Sequence, residues 1–193
     1  MHFLTQKTLY RQRFTSLKKE QLARALGLKG GTHPFIVDAT AGLGRDSFIL
    51  ASFGFRVTLL ERSSIMYESI RSAMHEARDN TTLAPIIDRM HLIQADAIQW
   101  LQQLSDDERP DKIYIDPMFP ERKKSALPQK EMQQLQSIVG SDVDADQLLK
   151  VALMFARERV VVKRPRLSES LLPERPPSFA LMGSSSRFDV YKI

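Results

Sequence analysis

Two stretches combine residue types that could do chemistry together. The first is Phe35-Ile-Val-Asp-Ala-Thr-Ala-Gly-Leu-Gly-Arg-Asp-Ser-Phe-Ile-Leu50. A short apolar run, Phe35 to Val37, suits a strand covered on both faces. Small residues follow, and Gly42 and Gly44 allow positive φ and close approach of a ligand to the backbone. Phe48, Ile49, Leu50 and Phe53 predict a helix from about Arg45, whose free N–H groups would face an electron-rich group. Asp38 is an acid close to the turn. Glu61, seventeen residues after Gly44, closes Arg56-Val-Thr-Leu-Leu-Glu61, where a carboxylate can accept both hydroxyls of a ribose. The second stretch is Ile113-Tyr-Ile-Asp-Pro-Met-Phe-Pro120. Its Asp116 carboxylate and Pro117 carbonyl are two acceptors with no competing proline N–H. They could hold both hydrogens of an aromatic amine and favour pyramidalisation of its nitrogen. Phe119 could stack on the ring that carries it.

The details discriminate between ligands. A dinucleotide fingerprint wants a third glycine three residues after the second, and Ser47 stands there. Asp-x-x-x-Gly-x-Gly followed by an acid closing the second strand resembles S-adenosylmethionine (AdoMet) methyltransferases more than dehydrogenases. Asp116-Pro117-Met118-Phe119 resembles the Asp/Asn-Pro-Pro-aromatic motif of enzymes that methylate exocyclic amino groups, with Met118 in place of the second proline. A sulfonium methyl is already activated, so alignment of nitrogen, carbon and sulfur carries much of such a reaction. A nearby carboxylate stabilises the positive nitrogen that transfer creates.

Elements that must position these residues can be read along the chain. Residues 16–28 predict a helix with Ser16 as N-cap and Leu17, Leu22, Ala25 and Leu26 inward, ended by Gly27, Gly30 and Gly31. Residues 64–78 predict a helix that buries Ile65, Met66, Ile70, Ala73 and Ala77, followed by a loop or broken helix over 79–88. Met90 to Ala95 reads as the third strand, closed by Asp96, and Ala97 to Leu104 as a short helix. Asp106 to Pro110 is a polar turn and Lys112 to Asp116 the fourth strand. Residues 121–143 form a charged insertion, partly helical over Pro128 to Ile138. Asp144 to Arg157 is a helix, Arg159 to Lys163 a fifth strand, and Arg164 to Pro177, with four prolines, mostly loop. Ser178–Met182 and Arg187–Lys192 predict an antiparallel pair at one sheet edge. The alternation predicts an α/β, doubly wound, mostly parallel seven-stranded sheet of the Rossmann-like class I AdoMet methyltransferase type. Its cleft should lie beyond the carboxyl ends of strands one to four. The Asp116 carboxyl is then expected close to the loop at 42–46.

Charge is unevenly placed. Residues 1–30 hold seven of the 28 Lys/Arg and one of the 23 Asp/Glu, leaving a near-neutral remainder. We expect a basic N-terminal helical arm, residues 1–31, on a methyltransferase domain, residues 32–193. Such an arm suggests a polyanion partner. Lys7, Arg11 and Arg13 among Phe3, Tyr10 and Phe14 suit phosphates and unpaired bases, although a helix packing those aromatics on the body is the alternative. The 193 residues contain no cysteine, which excludes thiolate chemistry and fits a reducing compartment. Four scattered histidines show no metal-ligand spacing, so no metal is expected. No signal peptide or membrane span is visible, and a cytoplasmic monomer is expected.

Longer signatures complete the picture. Asp38-Ala-Thr-Ala-Gly-Leu-Gly-Arg-Asp46, Leu60-Glu-Arg62, Asp116-Pro-Met-Phe-Pro120, Lys124-Ser-Ala-Leu127, Val160-Val-Val-Lys-Arg-Pro165 and Arg187-Phe-Asp-Val-Tyr191 resemble the ribosomal RNA small subunit methyltransferase J family over roughly residues 8–193. The resemblance implies AdoMet-dependent methylation of a guanine N2 near the 3′ end of bacterial 16S rRNA, free or in the 30S subunit. It also implies cofactor contacts by Arg45 and Asp46, Glu61 and Arg62, Asp96 and Ala97, and Asp116. Family members often show small hydroxyl residues where Asp96 and Ala97 stand. They usually carry an additional segment ahead of the basic helix, at which this sequence almost begins. Arg122, Lys123, Lys124, Lys163, Arg164 and Arg166 flank the expected cleft in sequence and are expected to meet rRNA phosphates. A methyltransferase for another exocyclic amine, a small molecule or a protein is the alternative. The basic arm and Asp-Pro-Met-Phe argue against the last two, and the missing third glycine against an NAD-dependent oxidoreductase. An intact cofactor turn argues against a non-enzymatic RNA binder.

Overall fold

The computed structural model describes residues 4–117 and 144–193. Among these, seven strands form one sheet in the order β3-β2-β1-β4-β5-β7-β6. They are β1 (Ile36–Asp38), β2 (Val57–Glu61), β3 (Met90–Gln94), β4 (Lys112–Ile115), β5 (Arg159–Pro165), β6 (Phe179–Met182) and β7 (Ser186–Lys192). Pairings from β3 through β5 are parallel, and β7 runs antiparallel between β5 and β6. The order reverses between β1 and β4, which opens a crevice at their carboxyl ends.

Alternation along the strands assigns each side chain to a face. Ile36, Val57, Leu59, Tyr114, Val161 and Val190 point into one core. Val37, Leu60, Ile113, Ile115, Val160 and Val162 point into the other. The first face is covered by α2 (Gln21–Ala25), α3 (Arg45–Ser52), α4 (Ser64–Arg78) and α5 (Ala84–Ile87). The second is covered by α6 (Ala97–Gln102) and α7 (Ala145–Phe155). Helix α4 follows its apolar period, capped by Ser63, whose hydroxyl accepts from Met66 N. Met74 takes a place on its buried face, whereas Ile65, expected inward, is 61% exposed. Among the described residues no helix is long and apolar enough to cross a membrane.

The amino-terminal segment differs from expectation. Helix α1 (Gln6–Phe14) is capped by Thr5 Oγ1, which accepts from Thr8 N at 3.2 Å. Residues 17–19 form a turn. Glu20, not Ser16, caps α2, its carboxylate accepting from Leu22 N. An acid at that position also meets Arg11, a long-range partner that local capping preference does not reveal. Leu22, Ala25 and Leu26 are fully buried in the same core as Phe48 and Val190, so the segment through residue 28 contributes to the body's interior. Tyr10 and Phe14, by contrast, are 65% and 63% exposed and lie against each other, ring centroids 4.5 Å apart.

Strand β5 runs two residues beyond its expected end. Arg164 and Pro165 pair with Arg187 and Ser186 of β7, and a proline at the end of a strand removes little from the ladder. The partly helical region expected over 128–138 lies outside the described residues.

Leu22→Ala should lower stability by about 2–5 kcal/mol. Chemical denaturation should still show one cooperative transition. A separate, earlier transition would instead show residues 1–31 to be an independent unit.

Candidate active site

The carboxyl ends of β1, β2, β3 and β4 meet around one cleft. Its walls include Thr40, Gly42, Glu61, Arg62, Asp96, Ala97, Asp116 and Pro117. It encloses about 600 Å³ of atom-free space, open mouth included. Leu60, Ile98 and Leu148 supply apolar surface.

Backbone bonds build the floor. Ala39 N donates to Tyr114 O, and Ala41 N donates to Leu60 O, so the chain leaving β1 is held to both neighbouring strands. Gly42 and Gly44 then adopt φ of +55° and +71°, values that L side chains resist. Gly44 is the N-cap of α3 without a side-chain cap.

Glu61 is buried on the cleft wall. Its Oε2 accepts from Gly42 N at 2.9 Å and its Oε1 from Ser63 N at 2.8 Å. The glycine turn and the carboxylate therefore fix each other. Arg62 Nη1 bonds Asp144 Oδ2 at 2.8 Å, which ties the end of β2 to the start of α7. Asp96 caps α6, its Oδ1 accepting from Gln99 N at 3.0 Å, and Ala97 follows it on the cleft wall.

Asp38 was expected to touch the cofactor, but its side chain turns under the loop. Its Oδ1 accepts from Thr40 N at 3.2 Å, and its Oδ2 lies 2.5 Å from the Ser47 hydroxyl. Burial pushes the Asp38 carboxyl up to about 7 against these two bonds, with Asp46 adding to the rise. Ser47, where a dinucleotide fold would have its third glycine, thus braces the loop. Asp46 likewise points away from the cleft. Its Oδ1 accepts from Arg11 Nη1 at 2.6 Å and its Oδ2 from Tyr114 OH at 2.7 Å and Lys163 Nζ at 3.2 Å. Burial alone would raise this carboxyl, but Lys163 and Arg11 hold it below the usual range. Arg45 begins α3 and, like Gly44, is not among the residues that wall the cleft.

Asp116 sits at the lip. Its N–H donates to Thr40 Oγ1 at 2.6 Å, and its Oδ2 accepts from Lys163 Nζ at 2.7 Å. Burial pushes this carboxyl up, Lys163 pulls it down and Asp46 pushes it up again, leaving it above its ordinary value. The proximity expected between Asp116 and the loop at 42–46 is met, because a single ammonium bridges Asp116 and Asp46. Phe119, Arg122, Lys123 and Lys124 lie outside the described residues.

Three cations expected on phosphates are engaged otherwise. Lys163 is bonded to Asp46 and Asp116. Arg11 is forked onto Glu20 at 3.0 and 2.6 Å while also holding Asp46. Arg164 is buried, with Nη2 donating to Glu169 O at 2.8 Å. Lys7 and Arg13 are exposed. Thr40 and Tyr114 are the site groups that sequence reasoning left unassigned, and Lys163 was assigned to phosphates rather than to Asp116. Register could have found Lys163: Ile115 faces Val162 across β4 and β5, so residues 116 and 163 are the next pair.

Comparison with known proteins places this geometry. The family model "Putative SAM-dependent methyltransferase" matches residues 1–193. A ribosomal RNA small subunit methyltransferase J from Thioalkalivibrio sulfidiphilus is 49% identical over 98% of this chain and 74% of its own length. The protein of that name from Aeromonas salmonicida is 48% identical over 94% of this chain and 72% of its own length. The chain belongs to this family. The crystal structure of a SAM-dependent methyltransferase from Neisseria gonorrhoeae, 31% identical, superposes with a TM-score of 0.74 over the whole chain and 74% of its own. The protein is thus a class I AdoMet-dependent methyltransferase.

The cleft fits that cofactor. Glu61, immobilised by two N–H groups, presents a carboxylate for ribose hydroxyls. Gly42 has no side-chain bulk above it, and a β-carbon there would meet nothing closer than Thr40 O at 3.8 Å. Asp96 and Ala97 line the cleft beside Glu61, and Leu60, Ile98 and Leu148 give it apolar walls.

Glu61→Gln should weaken AdoMet binding about ten- to a hundredfold by calorimetry, the loss expected for hydrogen bonds to a charged group. Asp38 holds its proton more tightly in the folded than in the unfolded chain. Its contribution to stability is therefore full below about pH 4 and lost as pH rises through about 7. The stability of the wild type relative to Asp38→Asn, from urea titrations, should fall across that window.

Proposed function

We propose that this chain transfers the AdoMet methyl group to N2 of a guanine near the 3′ end of small-subunit ribosomal RNA, in the cytoplasm, as naked 16S rRNA or within the 30S subunit. The observation that carries the reading is the place of Asp116-Pro117 at the lip of a cleft shaped for AdoMet. The names of the relatives, ribosomal RNA small subunit methyltransferase J, agree with it.

The chemistry asks little of the protein beyond placement. AdoMet supplies a methyl group on a sulfonium, already activated for displacement. A guanine amino group is a weak nucleophile, because its lone pair is delocalised into the ring. Asp116 and the Pro117 carbonyl hold its two hydrogens, turn the nitrogen toward the methyl carbon and favour its pyramidal form. The Asp116 carboxylate then stabilises the positive nitrogen until its proton leaves. Thr40 fixes the Asp116 backbone, so the acceptors are aimed before substrate arrives. Phe119, on this reading, stacks on the unpaired base. Lys7 and Arg13, exposed on α1 beside Tyr10 and Phe14, attract the phosphate backbone.

Incubation with labelled AdoMet and 30S subunits or rRNA lacking this modification should place label in 16S rRNA at one guanine N2. Label only in free metabolites would overturn the reading. Asp116→Ala should retain AdoMet binding while losing at least about a hundredfold in kcat, the scale of a lost transition-state charge partner. Lys7→Gln with Arg13→Gln should weaken rRNA binding at low salt and flatten its salt dependence by about one unit of log–log slope per contact removed.

A further inference from the structure

A string of charges runs from the basic helix to the reacting acid. Glu20 receives a forked pair from Arg11, Arg11 bonds Asp46 at 2.6 Å, Asp46 meets Lys163 at 3.2 Å, and Lys163 bonds Asp116 at 2.7 Å. Tyr114 donates to Asp46 from within the sheet. Five elements contribute: α1, the cap of α2, α3, β4 and β5. Asp38, on β1, adds a further carboxyl close enough to influence the set. Around Lys163 the acids are thus Asp46, Asp116 and Asp38, the phenol is Tyr114, and the second cation is Arg11.

We infer that Lys163 is a positioning residue for methyl transfer: held by Asp46, which α1 in turn holds through Arg11, it fixes the Asp116 carboxylate in place and keeps it ionised at the lip of the cleft. Two features favour this over a phosphate-binding role. Lys163 is bonded to two carboxylates of its own chain, Asp46 at 13% and Asp116 at 35% exposure, and its own side chain is 30% exposed. Asp46, 13% exposed, is held below the usual carboxylate range by Lys163 and Arg11 against the rise that burial alone would give. The ammonium is therefore committed to the acids before any RNA arrives. Docking of α1 and orientation of Asp116 become one event, although α1 does not itself reach the cleft.

The inference rests on the rRNA-methylation reading for its kinetic consequence, but not for its electrostatic one. The test therefore has two arms. In the first, carboxyl-carbon NMR of the full chain, with Asp116 assigned through Asp116→Asn, follows its titration in the wild type and in Lys163→Met. Asp116 should titrate at higher pH in Lys163→Met and return toward the wild-type value in Lys163→Arg. Arg11→Met should move it the same way by less. An unchanged Asp116 titration in Lys163→Met overturns the inference whatever the substrate proves to be. Should Lys163→Met not fold, Arg11→Met against Arg11→Lys decides by the same criterion.

In the second arm, kcat on the rRNA substrate should fall about tenfold or more in Lys163→Met at neutral pH. Its acidic limb should move to higher pH, the loss should shrink toward alkaline pH, and Lys163→Arg should restore most of the rate. KM for rRNA and AdoMet affinity should change less than about twofold. A loss confined to KM and steepened by salt would instead assign Lys163 to phosphate contact and overturn the inference. Wild-type enzyme inactive on rRNA overturns the functional reading and leaves the NMR arm to decide this one.

Discussion

Carboxylates buried at the ends of parallel strands must be given donors, and that requirement organises the molecule. Asp38, Glu61 and Asp116 close β1, β2 and β4, and Asp46 lies one turn away. Asp38, Glu61 and Asp46, the covered ones, would be costly if left without partners in so enclosed a place. The fold meets the demand in three ways. Glu61 receives two backbone N–H groups. Asp38 receives a backbone N–H and faces a serine hydroxyl. Asp46 and Asp116 share an ammonium. The same bonds that lower the cost of burial also fix the geometry of the cleft, so the stability of this end of the sheet and its readiness for catalysis have one origin.

This division of labour separates two kinds of acid. Glu61 and Asp116 wall the cleft and are available to ligands. Asp38 and Asp46 face inward and hold up the loop on which the ligand would rest. A residue can therefore belong to a cofactor motif and yet not wall the cleft. Asp46 is the clearest case: it stands beside the glycine turn in sequence, yet its partners come from α1, β4 and β5.

Much of this architecture was legible from the sequence because local periodicity and burial agree. The run Val160-Val-Val162 can only be an interior strand, and Ser64 to Arg78 carries one unbroken helical stripe. The strand-end acids followed from the same reading, since each closes an apolar run. What stayed hidden depends on contacts between distant residues. Ser16 looked like a cap, but Glu20 serves because Arg11 comes to meet it. Lys163, Arg164 and Arg11 looked like surface cations because composition gives charge without direction. Their orientations follow from the pairing of β4 with β5 and of β5 with β7, a tertiary fact. Arg164 falls on the opposite face from its neighbour for the simple reason that strands alternate.

The burial of Leu22, Ala25 and Leu26 against the face that Phe188 and Val190 complete has a consequence for biosynthesis. Residues from the start of the chain enter a core whose remaining wall is β7, and Gln21 reaches across to the Met182 carbonyl. Contacts so far apart in sequence are slow to form, since a long loop must close before they repay it. During translation, the part of α2 that meets β7 stays uncovered until residues 186–192 have left the ribosome. The strand that carries Lys163 likewise waits for β7 as its partner, so a nascent chain bearing a finished glycine turn is still an unfinished enzyme.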